Sequence, residues 1–277
     1  MLRSMLVGLD GSAYSAAAVE LGIRWAQHSG AVLVGLGIID APTICKPQPV
    51  PLGASAYKVH HDATLLADAD HKVKQFSEHC AQRYAEVGVA CQLLQDTGLP
   101  AEHILLEAQK YDLIMLGQHT FFHFETQEKP DETLHVVVQQ SPCPVVAVPA
   151  TLPEGQAVII AYDGSPHATR ALHMFQALGL DSVYDVHVVC VDVQQKRAAC
   201  YAEHAVAFLQ GHNIVAQAHV CSYLGVARPR ATGARATAQG ELAGHGEIWS
   251  LPLRAFFGDS VTRAMLRASP VPTFFYH

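Results

Sequence analysis

No stretch of this 277-residue chain approaches the roughly 18 consecutive apolar residues that a membrane-spanning helix needs, although half of its residues are hydrophobic. The apolar residues come in short runs broken by polar ones, the pattern of a folded interior. Basic residues are scarce: 18 Lys and Arg stand against 25 Asp and Glu, for a formal net charge of −7. Without a basic stripe, the chain lacks the electrostatic footprint of a nucleic-acid binder. The N-terminus runs straight into an apolar segment with neither a charged leader nor a cleavage site, so the expectation is a cytoplasmic protein without a membrane partner. The seven cysteines, at 45, 80, 91, 143, 190, 200 and 221, are odd in number and form no CxxC pair. That pattern excludes a zinc ribbon and a disulfide framework, and reads as reduced thiols in or near the core.

Familiar catalytic patterns are also missing. Seventeen histidines are present, among them His60-His61, His119 and His123, but no HExxH or Cys/His ligand spacing organises them. Ser12 and Ser165 lack the G-x-S-x-G elbow of a hydrolase nucleophile and read as helix N-caps. Asp10 lacks the acidic pair and the distant lysine of a phosphoacceptor site. The acidic stretch from Glu125 to Glu132 reads as a solvated loop. The expectation is a protein with no metal, no catalytic residue and no enzymatic activity.

What the chain does have, it has twice. Asp10-Gly11-Ser12 ends the apolar run Met5-Leu6-Val7-Gly8-Leu9 and opens a helical pattern. Asp163-Gly164-Ser165 does the same after Val158-Ile159-Ile160-Ala161-Tyr162. The copies also close alike, with Ser141-Pro142-Cys143-Pro144-Val145-Val146-Ala147-Val148 and Ser269-Pro270-Val271-Pro272-Thr273-Phe274-Phe275-Tyr276. A repeated strand–loop–helix order marks two copies of one domain, placed here at residues 1–150 and 156–277.

In the first copy, strands are expected at 4–10, 31–39, 89–94, 112–116 and 145–148. Helices are expected at 13–29, 62–87, 100–110 and 134–140, and the Pro-rich stretch 41–53 reads as a loop. In the second copy the pattern continues as strand 157–162, helix 166–178, strand 185–191, helix 196–210 and strand 214–220. Strands apolar on both faces, alternating with helices, predict an α/β fold: two tandem open parallel sheets, Rossmann-like and covered on both sides. Ligands in such sheets sit at the carboxyl ends of the strands, where Asp10, Asp163 and the segment after Leu116 all lie. The apolar closing runs would be exposed edges unless paired, so the copies are expected to pack through them as an internal pseudo-dimer.

This doubled order, with DGS after the first strand and S-P-x-P-V before the last, resembles the universal stress protein family in its tandem form. The resemblance implies an adenine-nucleotide-binding fold for ATP or AMP, a role in the stress response and a homodimer as a further assembly. It also implies a three-part site. An Asp ends the first strand, matching Asp10 and Asp163. A residue near the end of the second strand lies by the adenine, matching Ile38 and Val191. The third part is a phosphate loop, G-x-x-G, then nine residues, then G-S or G-T, whose glycines let backbone N–H groups reach phosphate oxygens.

The first copy departs from that loop. Gly117-Gln118-His119 is followed by Thr120, and the G-S position falls on Asp131-Glu132, whose carboxylates would repel phosphate. This copy is therefore read as a structural half that has lost its phosphate loop. In the second copy, Gly258-Asp259-Ser260-Val261-Thr262-Arg263 resembles the family's helix start, so Gly258, Ser260, Val261 and Thr262 join Asp163 and Val191 as its site residues.

Residues 226–249, VARPRATGARATAQGELAGHGEIW, fit this scheme badly. They occupy the place of a helix and the fourth strand but contain no apolar run, while the distance from Gly225 to Ser269 exceeds that from Gly98 to Ser141 by only one residue. Read from the second base of each codon, Leu242 to Trp249 can encode Leu-Leu-Val-Met-Gly-Lys-Tyr-Gly, a strand followed by G-x-x-G. Two readings stand here, a pair of compensating frameshifts and ordinary divergence into a loop. Either way the segment is expected to form no central strand. Three functions follow from the sequence: weak ATP binding in the second copy, a structural partner-binding module without nucleotide, and slow ATP hydrolysis.

Overall fold

Ser4–Leu9 forms the first strand, β1, and all but its first residue are buried. A run this apolar is satisfied only in the middle of a sheet with both faces covered. β1 is flanked on one side by β2 (Val32–Ile39) and on the other by β4 (Leu113–Gly117), both parallel to it. With β3 (Cys91–Thr97), β5 (Val145–Val148) and β9 (Thr273–Phe275), the sheet has the order β3-β2-β1-β4-β5-β9. The computed structural model describes residues 1–46, 55–124, 129–153, 157–180, 185–192, 194–222, 269 and 271–276. The segment 226–249 and the stretch Gly258 to Thr262 lie outside the described residues.

The order of strands fixes where the helices lie. α1 (Ala13–Ser29) and α3 (Ser55–Glu86) follow β1 and β2 and cover the same face. The Arg83 guanidinium of α3 donates to Glu20 of α1 at 2.7 and 3.1 Å. After β3 the chain crosses to the far side of β1, so α4 (Pro100–Ala108) and α5 (Thr133–Gln140) cover the other face. There Leu6, Leu36, Ile38, Ile104, Leu116, Leu134 and Val137 form a continuous buried cluster. A short helix, α2 (Ala41–Ile44), capped by the Asp40 side chain, occupies the start of the expected Pro-rich loop. Asp112 clasps the N-terminus, accepting from the Arg3 and Ser4 N–H groups at 2.8 and 3.0 Å.

The chain divides into two compact units, 1–153 with 266–277 and 154–265. The described part of the second unit runs β6 (Ala157–Ala161), α6 (Pro166–Leu178), β7 (Asp185–Asp192), α7 (Gln195–Gly211) and β8 (Ala216–Ser222). Its strands are parallel in the order β6-β7-β8, the order that β1-β2-β3 follows in the first unit. The DGS turns are built alike. Gly11 and Gly164 sit at φ 75° and 74°, where a Cβ is unfavourable. Ser12 and Ser165 then cap α1 and α6, each accepting a backbone N–H three residues on at 3.2 Å.

Several element bounds differ from the sequence reading. α3 starts at Ser55 rather than 62, and β3 covers Cys91–Thr97 rather than 89–94. The helix gains length because its first turns carry Ala, Lys and His, good or tolerated helix residues without a stop signal. β3 shifts because it is an edge strand with an exposed face, which carries no strong apolar pattern. β8 likewise begins two residues later than expected, at Ala216.

At the open edge, β5 pairs antiparallel with β9, Val145 opposite Phe275 and Ala147 opposite Thr273. Gln118 Nε2 also donates to the Ser269 carbonyl at 2.7 Å in a buried position. Removing residues 269–277 should destabilise the first unit by on the order of 3 kcal/mol, from the lost ladder and the orphaned Gln118, and expose the β5 edge. Urea unfolding together with size-exclusion chromatography tests this; unchanged stability in a monomeric truncated chain would show that β9 contributes nothing.

Candidate functional site

The sheet of the first unit reverses its strand order between β1 and β4. In open α/β sheets the crevice outside the carboxyl ends at such a reversal is where ligands bind. Asp10 stands there, only 4% exposed. Its Oδ1 accepts the Ser12 N–H at 2.9 Å, and its Oδ2 accepts the Phe121 N–H at 2.7 Å. Burial pushes the Asp10 carboxyl above its ordinary range, and the hydrogen bonds from Ser12 and Phe121 oppose that rise. Both oxygens are thus committed to the chain itself.

The segment that reaches Asp10 crosses the whole crevice. Leaving β4, Gln118 donates its N–H to the Val148 carbonyl at 2.8 Å. Phe121 then meets Asp10, and the Phe122 carbonyl accepts the Asp40 N–H at 3.2 Å, just past the end of β2. The Phe122 ring is fully buried, joins the cluster that contains Ile38 and Leu116, and packs over Gly8 of β1. Ile38 is itself fully buried in that cluster. Gly117 lies under Tyr14, where an added Cβ would stand 2.5 Å from the Tyr14 Cβ. Of the three first-copy positions singled out from sequence, Asp10 alone borders open space. That space is a cleft of about 640 Å3 between the start of α1 and the flank of α3, lined by Lys72, Phe76, His79, Phe121 and Phe124 among others.

Asp131 occupies the start of α5. Its carboxylate accepts the Phe122 N–H at 3.0 Å, the Thr133 N–H at 2.9 Å and a short hydrogen bond from the Thr120 hydroxyl. Free N–H groups at a helix N-terminus form a ready anion site, and here a carboxylate of the chain fills it. The Asp131 carboxylate thus caps the first turn of α5 through the Thr133 N–H. Sequence reading missed the helix-start role of Asp131 and the crossing residues Phe121 and Phe122. The pattern Asp131-Glu132-Thr133 before an apolar helical run was the available signal for the first, as an N-terminal capping sequence. Phe121 and Phe122 carried none beyond two aromatics in an otherwise polar stretch.

The second unit differs at the equivalent turn. Asp163 is exposed, its Oδ1 accepts the Ser165 N–H at 2.9 Å, and its Oδ2 has no partner among the described residues. The Tyr201 ring of α7 packs against the Gly164 turn beside it. Val191 lies near the end of β7, in register with Cys221. The next residue, Asp192, is held by Arg197 through contacts of 2.5 and 2.8 Å. Gly258, Ser260, Val261 and Thr262 lie outside the described residues. Among the described residues no three His, Cys, Asp or Glu side chains converge as a metal site would require, and no helix is long and apolar enough to cross a membrane.

A family model described as the universal stress protein family matches residues 1–149. The chain belongs to the universal stress protein family. A universal stress protein from Archaeoglobus fulgidus shares the fold over 98% of this chain and 97% of its own, at 17% identity and a TM-score of 0.60. The universal stress protein UspA from Lactobacillus plantarum aligns with 53% of this chain and 97% of its own, at 22% identity and a TM-score of 0.40. A universal stress protein from Arabidopsis thaliana, solved with AMP bound, aligns with 55% of this chain and 94% of its own, at 16% identity and a TM-score of 0.34. No curated protein matches the chain.

Two measurements probe how this universal stress protein closes its first crevice. Asp131→Ala leaves the Thr133 N–H at the start of α5 and the Phe122 N–H of the crossing segment without their acceptor, so it should cost about 2–3 kcal/mol in urea unfolding; a loss below about 0.5 kcal/mol would mean that Asp131 does not hold the segment. The Asp10 carboxyl, raised in the fold, should titrate above 3.8 by carbon-detected NMR. Its contribution to stability is then present below the unfolded-state pKa and lost as pH rises through the folded value. Titration at or below the ordinary carboxylate value would contradict that direction.

Proposed function

We propose that this protein is a non-enzymatic stress-response protein with two tandem universal stress protein domains, in which adenine nucleotide, ATP or AMP, binds weakly and only in the second. The observation that carries this reading is the contrast between the two aspartates. Asp10 has both oxygens bonded to the chain, whereas Asp163 keeps Oδ2 open among the described residues. In the first domain Phe122 shares the buried cluster of Ile38, the position that the family resemblance assigns to adenine, and Asp131 falls at the position that the resemblance assigns to the phosphate loop. The first domain is thus a structural half whose own residues take the place of a ligand. The repeated β-α-β-α-β order, the matched DGS turns and the full-length likeness in fold to the Archaeoglobus protein support the tandem reading. The pairing of β9, which closes the second copy in sequence, with β5 supports the internal pseudo-dimer.

A second reading is a partner-binding module without nucleotide. The self-filled crevice of the first domain favours it, because that domain folds with no demand for a ligand. Slow ATP hydrolysis is the third, and no general base or pair of metal-binding carboxylates supports it among the described residues.

Chromatography of nucleotide released from the purified, denatured protein, followed by an ATP turnover assay, separates the three. Calorimetry then locates the site. Asp163→Ala should weaken ATP binding by about tenfold, near 1.4 kcal/mol, and Asp10→Ala by less than about twofold. Equal losses, or a larger loss at Asp10, would count against the assignment.

A further inference from the structure

α3 lies on the β2–β3 side of the sheet with its direction opposed to β3, because the chain turns back between them at Gly88. Two contacts fix how helix and strand are matched. Gln95 Nε2 of β3 donates to Asp70 Oδ1 of α3 at 2.7 Å. A Cβ added to Gly37, the register partner of Gln95, would lie 2.6 Å from the Val73 Cγ1 of the same helix. Alternation along the strand then puts Cys91 and Leu93 on the same face as Gln95, toward α3. From Gln95 back to Cys91 is about 13 Å of strand, equivalent to about nine helical residues. Counted from Asp70 and Val73, that leads to residues about 79–82, which include Cys80. Gly35 and Gly37 of β2 carry no side chain on this face, which lets the helix lie close to the sheet.

The two thiols differ in access. Cys80 is buried and Cys91, at the first position of an edge strand, is exposed. They are near enough that ionisation of Cys91 disfavours that of Cys80, adding to burial in pushing the Cys80 thiol up to about 12. Tyr84, one turn beyond Cys80, is raised by burial and by both sulfurs, and its buried hydroxyl has no hydrogen-bond partner among the described residues.

We propose that Cys80 and Cys91 are a redox pair that closes to a disulfide on exposure to a hydroperoxide, stapling α3 to the edge strand β3. The Cys91 thiolate attacks the peroxide O–O bond, forming a sulfenic acid and releasing hydroxide or alkoxide. The Cys80 thiolate then attacks the Cys91 sulfur, the S–S bond forms and hydroxide leaves. Two electrons pass from the two sulfurs to the peroxide; the two thiol protons end on its oxygens, and a thiol reductant reverses the change. Because the thiolate is the reacting form and both thiols are raised, closure is slow near neutral pH and speeds up as pH rises.

The test uses the full chain, treated with hydrogen peroxide at pH 7 and pH 9, blocked with N-ethylmaleimide under denaturing conditions and digested with trypsin without reduction. The expected product joins the peptide Gln75–Arg83 to Tyr84–Lys110, appears faster at pH 9 and disappears with dithiothreitol. Cys91→Ser and Cys80→Ser should each abolish it. Oxidation should also raise the thermal midpoint of the wild type reversibly and leave that of Cys91→Ser unchanged. Cys80 recovered fully alkylated while Cys91 carries only oxygen, or Cys91 linked to another chain or to any other cysteine, would overturn the proposal.

Discussion

Three segments of the first unit meet on the Asp10 carboxylate, and their arrangement depends on it. One oxygen holds the Ser12 N–H and with it the turn that starts α1. The other holds the Phe121 N–H and so draws the segment after β4 back across the sheet. A carboxylate this buried loses its hydration, so it is tolerable only if the protein replaces the lost hydrogen bonds. The replacements come from parts of the chain more than a hundred residues apart. Next to Phe121, Phe122 lies buried in the cluster that holds Ile38 and Leu116. Asp131 then receives the Phe122 N–H and starts α5.

This chain of contacts explains why the crevice at the strand reversal is closed although the fold around it is the ligand-binding kind. The Phe122 ring fills the apolar side of the crevice, and the Asp131 carboxylate takes the Thr133 N–H at the start of α5. The open cleft that remains lies on the other side of Asp10, against α3, where Lys72 donates to the Phe124 carbonyl at 3.3 Å.

Much of the framework was legible in the sequence because its signals are local. Apolar runs between Gly, Ser and Pro mark β1, β4 and β5; Ser12 and Ser165 mark the starts of α1 and α6, and Gly30 and Gly179 their ends, in the left-handed conformation. Edges were less legible. β3 has five exposed residues in seven, so no apolar alternation located it, and the first turn of α3 carries no acidic residue to mark its start. At the site, Asp10 was legible from its place after a buried strand. The charge of Asp131 was legible too, but its partners were not: Thr120, Phe122 and Thr133 reach it through a hairpin-like bridge between Thr120 and Asp131, and no periodicity encodes a bridge between two loop residues.

A sheet of this kind presents N–H groups and apolar surface at the carboxyl ends of its strands whatever occupies them. The N–H groups at the start of α5 and the apolar ends of β1 and β2 remain, because the backbone that produces them is the fold itself. Left empty, they would be unsatisfied donors and unfilled apolar surface, each costing on the order of 1–3 kcal/mol. In the first unit the Phe122 ring and the Asp131 carboxylate meet these two demands, on one short stretch of chain. The two are coupled: Phe122 offers its ring to the cluster and its N–H to Asp131, so loss of either residue loosens the other.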